Sequence, residues 1–239
     1  MLSRSESKYI QTLSHKKQRD AEGLFIVEGP KLADEVLNSH LSIKKIFALQ
    51  SWADANKTID DIVIIGEDEL QKISNLQTAN EVLMLVEMPH QNVLLKLENT
   101  ITLALDGIQD PGNFGTIIRI ADWFGIKQII CSEDCVELYN PKVIQSTMGS
   151  FIRVNIVYTK LDEYIAKVNV PVFGALLNGK DVTQIEKPTQ GVLIIGNESK
   201  GIRQPVLPYI NNAISIKRIG GAESLNAAVA TGIILSHLV

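Results

Sequence analysis

The stretch Ile101-Thr-Leu-Ala-Leu-Asp-Gly-Ile-Gln-Asp-Pro-Gly-Asn-Phe-Gly-Thr-Ile-Ile-Arg119 decides the fold class. Ile101 to Leu105 is a continuous apolar run, the pattern of a strand buried on both faces. Glycines at 107, 112 and 115 follow, and a helical pattern runs from Asn113 to Phe124 with Ile117, Ile118, Ala121 and Phe124 near one face. The strand–helix alternation continues downstream. Lys127 to Cys131 suits a strand, and Asn140-Pro141 starts a helix reaching Met148, with Asn as N-cap and Pro in the first turn. Val154 to Val157 suits a strand and the residues near Leu161–Val168 a helix. Val172 to Leu177, Val192 to Ile195 and Ala213 to Ile216 are further strands, and a helix from about Glu223 to Leu238 closes the chain. Such an order predicts an α/β fold with a mainly parallel sheet covered on both faces.

Residues 1–95 alternate less regularly. Ser5 to Leu13 reads as a helix, Leu24 to Val27 as a strand, and Gly29-Pro30 opens a helix through Leu37. Ile43 to Leu49 and Ile62 to Ile65 are strand candidates rich in β-branched residues. Glu67 to Ile73 suits a helix and Val82 to Val86 a last strand, which together make a small α/β unit. Residues 87–100 lack a firm pattern; Pro89 and its polar flanks suit a linker, with Val93, Leu94, Leu95 and Leu97 as candidates for local packing. Two domains are therefore expected, 1–95 and 96–239.

With 239 residues, 45% of them hydrophobic, the chain can build a substantial core. A net charge of -4 gives no global sign of nucleic-acid binding. The charge is uneven, however: Arg4, Lys8, Lys16, Lys17 and Arg19 face only Glu6 in the first 19 residues. That arm suits either an RNA contact or a solvated helix face. Cys131 and Cys135 have no second Cys/His pair at zinc-ligand spacing, and two thiols fit a reducing compartment. The N-terminus lacks the apolar core of a signal peptide, and no apolar run approaches the ~20 residues of a membrane span. A soluble, cytoplasmic protein with no metal and no membrane partner is expected.

Three polar segments follow strands: Asp106 to Arg119, Gly196-Asn-Glu-Ser-Lys-Gly-Ile202 and Glu223-Ser-Leu-Asn-Ala-Ala-Val-Ala230. In open α/β sheets, ligands sit beyond the carboxyl ends of strands, so the three are candidates to converge there. The first is neither a dinucleotide fingerprint nor a P-loop. Its helix start offers free amides to an anion, or is a tight turn with no ligand. Asn113, if it is the N-cap, points back at the loop; Arg119, six residues on, sits about 120° apart from it around the helix axis, so the two are not on one face. Considered singly, Arg119 suits a snorkelling surface residue, Glu198 an exposed acid, and Glu223 or Ser224 a helix start. His15, His40, His90 and His237 lie outside all three segments, which weakens a Ser-His-Asp or His-metal reading.

In order and spacing, the N-x-G-x-x-x-R of Asn113 to Arg119, the G-N-E-x-x-G of Gly196 to Gly201 and the Ser224-Leu225-Asn226 tripeptide resemble the three motifs of the SpoU/TrmH family of RNA ribose 2′-O-methyltransferases. The resemblance implies S-adenosylmethionine as cofactor and a homodimer with the cofactor site at its interface. It also implies a C-terminal trefoil knot and an N-terminal RNA substrate-binding domain of ribosomal-protein L30-like fold. Asn113, Arg119, Glu198, Ser224 and Asn226 match the residues around the acceptor ribose. Leu176, Gly196, Asn197, Gly201, Ile216 and Leu225 match cofactor positions, and Lys16, Lys17, Arg19 and Lys31 are the implied RNA contacts. The N-terminal domain points to ribosomal RNA, most of all 23S, with transfer RNA as the rival substrate and a non-catalytic RNA-binding protein as the rival class. One departure stands out: Lys217-Arg218-Ile219 replaces the Pro-Met usual before the third motif.

Overall fold

The computed structural model describes residues 2–89 and 97–239. The expected boundary at 95/96, together with Val93, Leu94 and Leu95 of the linker, lies outside the described residues. The chain forms two compact units, Met1–Gln91 with Tyr139–Ile152, and Asn92–Leu138 with Arg153–Val239.

The first unit runs α1 (Arg4–Thr12), α2 (Lys16–Glu22), β1 (Leu24–Glu28), α3 (Pro30–Leu37), β2 (Ile43–Ala48), α4 (Gln50–Ala55), β3 (Ile62–Ile64), α5 (Glu67–Ile73) and β4 (Val82–Glu87). Its sheet has the order β1-β4-β2-β3. The β1/β4 and β4/β2 pairs are antiparallel and the β2/β3 pair is parallel. Ile10, Leu13, Ile26, Phe47, Leu70, Ile73 and Leu83 meet in one apolar cluster, which is why α1 and α5 each turn a face inward. The helices α2 and α4 are not legible from periodicity. The sequence of α2, Lys-Lys-Gln-Arg-Asp-Ala-Glu, has no apolar stripe. It ends on Gly23 at φ 64, a left-handed conformation that glycine takes without steric cost. Glu28 is buried at the end of β1, and its carboxylate accepts from the Ser74 hydroxyl and from the backbone and side chain of Asn75. These bonds offset the cost of burying a charge.

The second unit starts with β5 (Ile101–Asp106), α6 (Pro111–Trp123) and β6 (Gln128–Ser132). The next helix, α7 (Pro141–Thr147), begins on an Asn140 cap as expected but packs within the first unit. There the Phe25 ring lies 4.7 Å from that of Tyr139 and 5.8 Å from that of Phe151. The chain then adds β7 (Asn155–Thr159), α8 (Leu161–Ile165), β8 (Val172–Asp181), β9 (Gly191–Gly196), β10 (Asn212–Ser215) and α9 (Ala227–Leu238) to the second unit. Its six strands are all parallel, in the order β10-β8-β9-β5-β6-β7. Side chains alternate across each strand. Ala104, Ile130, Val172, Val192 and Ile194 pack with Leu161 and Ile165 of α8 and with Ile202 and Val206. The opposite face carries α6 and α9, which also pack on each other. This is the parallel α/β sheet that the apolar strands predict.

Two helix starts differ from expectation. Asp110, not Asn113, caps α6: its carboxylate accepts from the Asn113 amide at 2.7 Å. Pro111 takes the first helical position, where its missing N–H costs nothing. Likewise α9 starts at Ala227 on an Asn226 cap, not at Glu223 or Ser224. In both cases a short polar side chain able to reach the second or third amide outcompetes its neighbours.

Candidate active site

Strands β5 and β9 lie side by side, in register from Ile101↔Gly191 to Asp106↔Gly196. The first two segments therefore leave the sheet at the same level. The third arrives from the loop after β10, which is longer than a tight turn because α9 starts only at Ala227.

Side chains from all three segments join in one chain of hydrogen bonds. Asn226 accepts from the Ala228 and Val229 amides through its Oδ1, at 2.9 and 3.2 Å. Its Nδ2 donates to Asn113 Oδ1 at 2.7 Å. Asn113 Nδ2 in turn donates to Glu198 Oε1 at 2.6 Å. Each link forces the next. The helix amides only donate, so Asn226 must present its oxygen to them and its NH2 to Asn113. Asn113 is then oriented with its own NH2 toward Glu198, which is left to accept as a carboxylate. The positive end of the α9 dipole lies at the start of this chain and the carboxylate at its end, a favourable order. Because Asp110 does the capping of α6, the Asn113 side chain is free for this role.

The second segment is a closed loop. Asn197 and Gly201 exchange backbone hydrogen bonds at 3.1 and 2.8 Å, and Asn197 Oδ1 accepts from the Ser199 and Lys200 amides. Gly201 has φ +66, in the left-handed region. A Cβ on Gly196 would lie 2.2 Å from the carbonyl carbon of Gly201, so only glycine allows this close passage. Asn197 Nδ2 also donates to the Gly107 carbonyl at 2.8 Å, which ties the loop to the end of β5.

Similarity to known proteins decides what such a loop cluster belongs to. The family model described as the SpoU rRNA Methylase family matches residues 100–236, and one described as an MRM3-like substrate binding domain matches residues 5–84. The chain belongs to the SpoU rRNA methylase family. It is 29% identical over 236 residues to the 23S rRNA (guanosine(2553)-2′-O)-methyltransferase RlmP of Bacillus subtilis, covering 95% of this chain and 92% of that protein. A putative RNA methyltransferase of the TrmH family from Porphyromonas gingivalis superimposes with TM-score 0.87 at 32% identity, over 100% of this chain and 98% of that one. An AdoMet-bound rRNA methyltransferase from Sinorhizobium meliloti superimposes with TM-score 0.87 at 29% identity, over 100% and 96% respectively.

Not every residue expected from the SpoU resemblance joins the cluster. Arg119 lies exposed on α6, and among the described residues it makes no side-chain hydrogen bond or ion pair. Ser224 and Leu225 are exposed in the stretch before α9, with Leu225 at 46%. The positions expected to hold a cofactor lie in or after the strands of the second unit. Gly196 ends β9, Leu176 lies within β8, and Ile216 follows the last residue of β10. Lys16, Lys17 and Lys31 are exposed.

Arg19 requires a correction. It is 1% exposed, and its Nη1 donates to the Leu13 and Ser14 carbonyls at 2.8 and 2.7 Å. Burial pulls its pKa down from the ordinary value, with Asp20 acting in the opposite direction. An arginine enclosed in this way braces the end of α1 and is not available to an RNA phosphate. Two neighbours of the site have no role in the sequence reading. Asp106 is fully buried at the end of β5, and Arg203 grips it through its backbone amide at 2.7 Å and its Nε at 2.6 Å. Asp106 opens the first segment, and Arg203 lies one residue past the end of the second. Nearby, the Cys135 thiol is drawn down to about 7 by its hydrogen bond from Cys131. Burial opposes this, while the Ser132 hydroxyl and the Ile108 and Gly107 amides add to it.

Proposed function

We propose that this protein methylates a ribose 2′-hydroxyl of 23S ribosomal RNA, with S-adenosylmethionine as methyl donor. The hydrogen-bond chain Asn226–Asn113–Glu198 carries this reading, since it joins the three motif segments at one strand edge. The full-length similarity to a 23S rRNA methyltransferase supports the RNA class.

The residues at this edge fit the cofactor. Apolar Leu176, Ile216 and Leu225 suit an adenine face, and the space beside Gly201, where a Cβ would meet nothing within 4 Å, leaves room for close approach. When bound, S-adenosylmethionine supplies an electrophilic methyl carbon. Everything else falls to the chain: aligning donor and acceptor, which is mainly proximity and orientation, and steadying negative charge on the ribose oxygen. Arg119 brings a guanidinium to the first motif. It serves as a clamp on the acceptor phosphate and as an electrostatic stabiliser of the developing alkoxide. Glu198, held on one oxygen by Asn113, faces the acceptor with Ser224 and Asn226.

A second copy of the chain completes the site by covering the α6–α9 pair. Trp123 (84% exposed) and Val229 (51%) are apolar side chains on that pair, and they support this arrangement. A C-terminal trefoil knot belongs to this reading, as the family resemblance implies. Residues 1–95 serve as an RNA-binding domain of L30-like fold, contacting phosphates through Lys16, Lys17 and Lys31, and residues 96–239 as the methyltransferase domain. The protein works in the cytoplasm; among the described residues no helix is long and apolar enough to cross a membrane.

The test is methyl-labelled S-adenosylmethionine with unmodified 23S rRNA and, separately, transfer RNA. Alkali-resistant label in the ribosomal RNA is the expected result. Label in transfer RNA alone overturns the substrate but keeps the chemistry. A protein that neither binds the cofactor nor labels any RNA is a non-catalytic member of the family.

A further inference from the structure

The loop that carries Glu198 is fastened to the end of β5 at both of its ends. At its start, Asn197 Nδ2 donates to the Gly107 carbonyl at 2.8 Å. At its end, Arg203 is bound to Asp106, the residue before Gly107, by its backbone amide at 2.7 Å, its Nε at 2.6 Å and an ion pair through Nη2. Arg203 then reaches sideways: Nη1 donates to Asp134 Oδ2 at 3.1 Å. Asp134 Oδ1 accepts from the Ser132 hydroxyl at 2.7 Å, and Ser132 Oγ accepts from the Gly107 amide at 2.9 Å. The ring closes on Gly107, the residue to which Asn197 is also tied. Gly107 has φ +72, so its peptide groups are aimed by a backbone conformation that most residues avoid.

We infer that Arg203 is a positioning residue for methyl transfer, acting by holding the Asn197–Arg203 loop so that Glu198 meets Asn113 and the cofactor edge keeps its shape. The inference rests on the proposed function for its kinetic part. Three features support it. The Asp106 side chain is fully buried while that of Arg203 is 41% exposed, so the guanidinium is the partner that a sequence change can alter without exposing core. The contact uses the planar fork of arginine, which a lysine cannot reproduce. Burial acts to raise the Asp134 carboxyl, yet the Ser132 hydroxyl and the Arg203 guanidinium bring it below its ordinary value, as expected for a carboxylate that is part of the ring.

Arg203→Lys keeps a cation beside buried Asp106 and therefore keeps the fold, but loses the fork. Asp134→Asn, at a half-exposed position, weakens the outer half of the ring. A matched control is Ile156→Val in β7, which lowers stability by a similar amount without touching the loop. Two readouts are taken well below the melting temperature. The first is backbone hydrogen exchange of residues 197–203 with no ligand present. The second is cofactor affinity and kcat. Arg203→Lys is expected to speed exchange in that segment and to weaken cofactor binding by roughly tenfold, with Asp134→Asn intermediate and Ile156→Val unchanged in both. Combining Arg203→Lys with Asn197→Ala is expected to cost less than the sum of the two, because both fastenings hold one loop. Unchanged exchange together with a cofactor Kd within about twofold of wild type overturns the inference, as does an equal response from the control. Should the wild-type protein label no RNA, the functional reading fails, while hydrogen exchange still decides the role of Arg203 in holding the loop.

Discussion

The basic arm of α1 and α2 and the strand-end cluster of the second unit both place polar side chains at helix ends, yet they use them in opposite ways. In the cluster, Asn226 caps α9 with its oxygen and reaches Asn113 with its nitrogen, so one residue finishes a helix and extends a site. In the arm, Arg19 turns inward and finishes α1 by binding the Leu13 and Ser14 carbonyls. The first is a motif in which several residues hold fixed backbone relations to glycine turns. The second rests on a count of charges. A count says nothing about direction, and a helix has an inside as well as an outside. Only Lys16 and Lys17 remain of the α2 cations as surface charges.

This contrast can be broken or sharpened by substitutions at five positions. The largest effect is expected for Arg119→Ala. If Arg119 acts only on the acceptor, transfer falls by roughly 10²–10³ or more while cofactor affinity stays near wild type. Calorimetric titration with S-adenosylmethionine beside a transfer assay separates the two, and surviving turnover would remove Arg119 from the mechanism. Next is Arg19→Ala, which leaves the two α1 carbonyls without their donor and opens a cavity. It should cost about 2–4 kcal/mol in chemical denaturation yet leave the per-molecule turnover of folded protein unchanged. A loss of RNA affinity with unchanged stability would reinstate it as a surface contact. Asn226→Ala removes both the α9 cap and the link to Asn113. A stability loss of about 1 kcal/mol is expected from the cap, with a fall in kcat that Asn226→Ser, which can still cap, does not repair. Full recovery of kcat by serine would mean that the link to Asn113 is immaterial. Smallest is Lys16→Ala, alone or with Lys17→Ala. Each should reduce the slope of log affinity for RNA against log salt by about 0.7–0.9, with kcat at saturating RNA unaltered. An unchanged slope would place the RNA path elsewhere.

How much was legible follows from the kind of signal. Apolar runs such as Leu103 to Leu105 and Val192 to Ile195 are buried on both faces and announce parallel strands without help. The helix α5 is bounded as the pattern predicts, from Glu67 to Ile73. By contrast α4, six residues long, has too few turns to show a period. The helix starts slipped because Asp110 competes with Asn113, and Asn226 with Ser224, and a linear reading cannot say which side chain reaches the free amides. Within the site, Asn113, Glu198 and Asn226 stand at motif positions that the sequence shows. The pairing of Arg203 with Asp106 spans 97 residues and leaves no local trace.

By itself, then, the sequence determined the alternation of strands and helices, the glycines where backbone must pass close to backbone, and the three segments that end at a strand edge. These are local properties, dictated by burial pattern and by the backbone conformations each residue tolerates. Tertiary structure alone decided that β9 would lie against β5, that Asn113 would be released from capping to bridge Glu198 and Asn226, and that Arg19 would face inward while Arg203 gripped Asp106. Each of those outcomes depends on which polar groups the packed chain deprives of water. A polar group deprived of water must find its partner in space, wherever in the chain that partner lies.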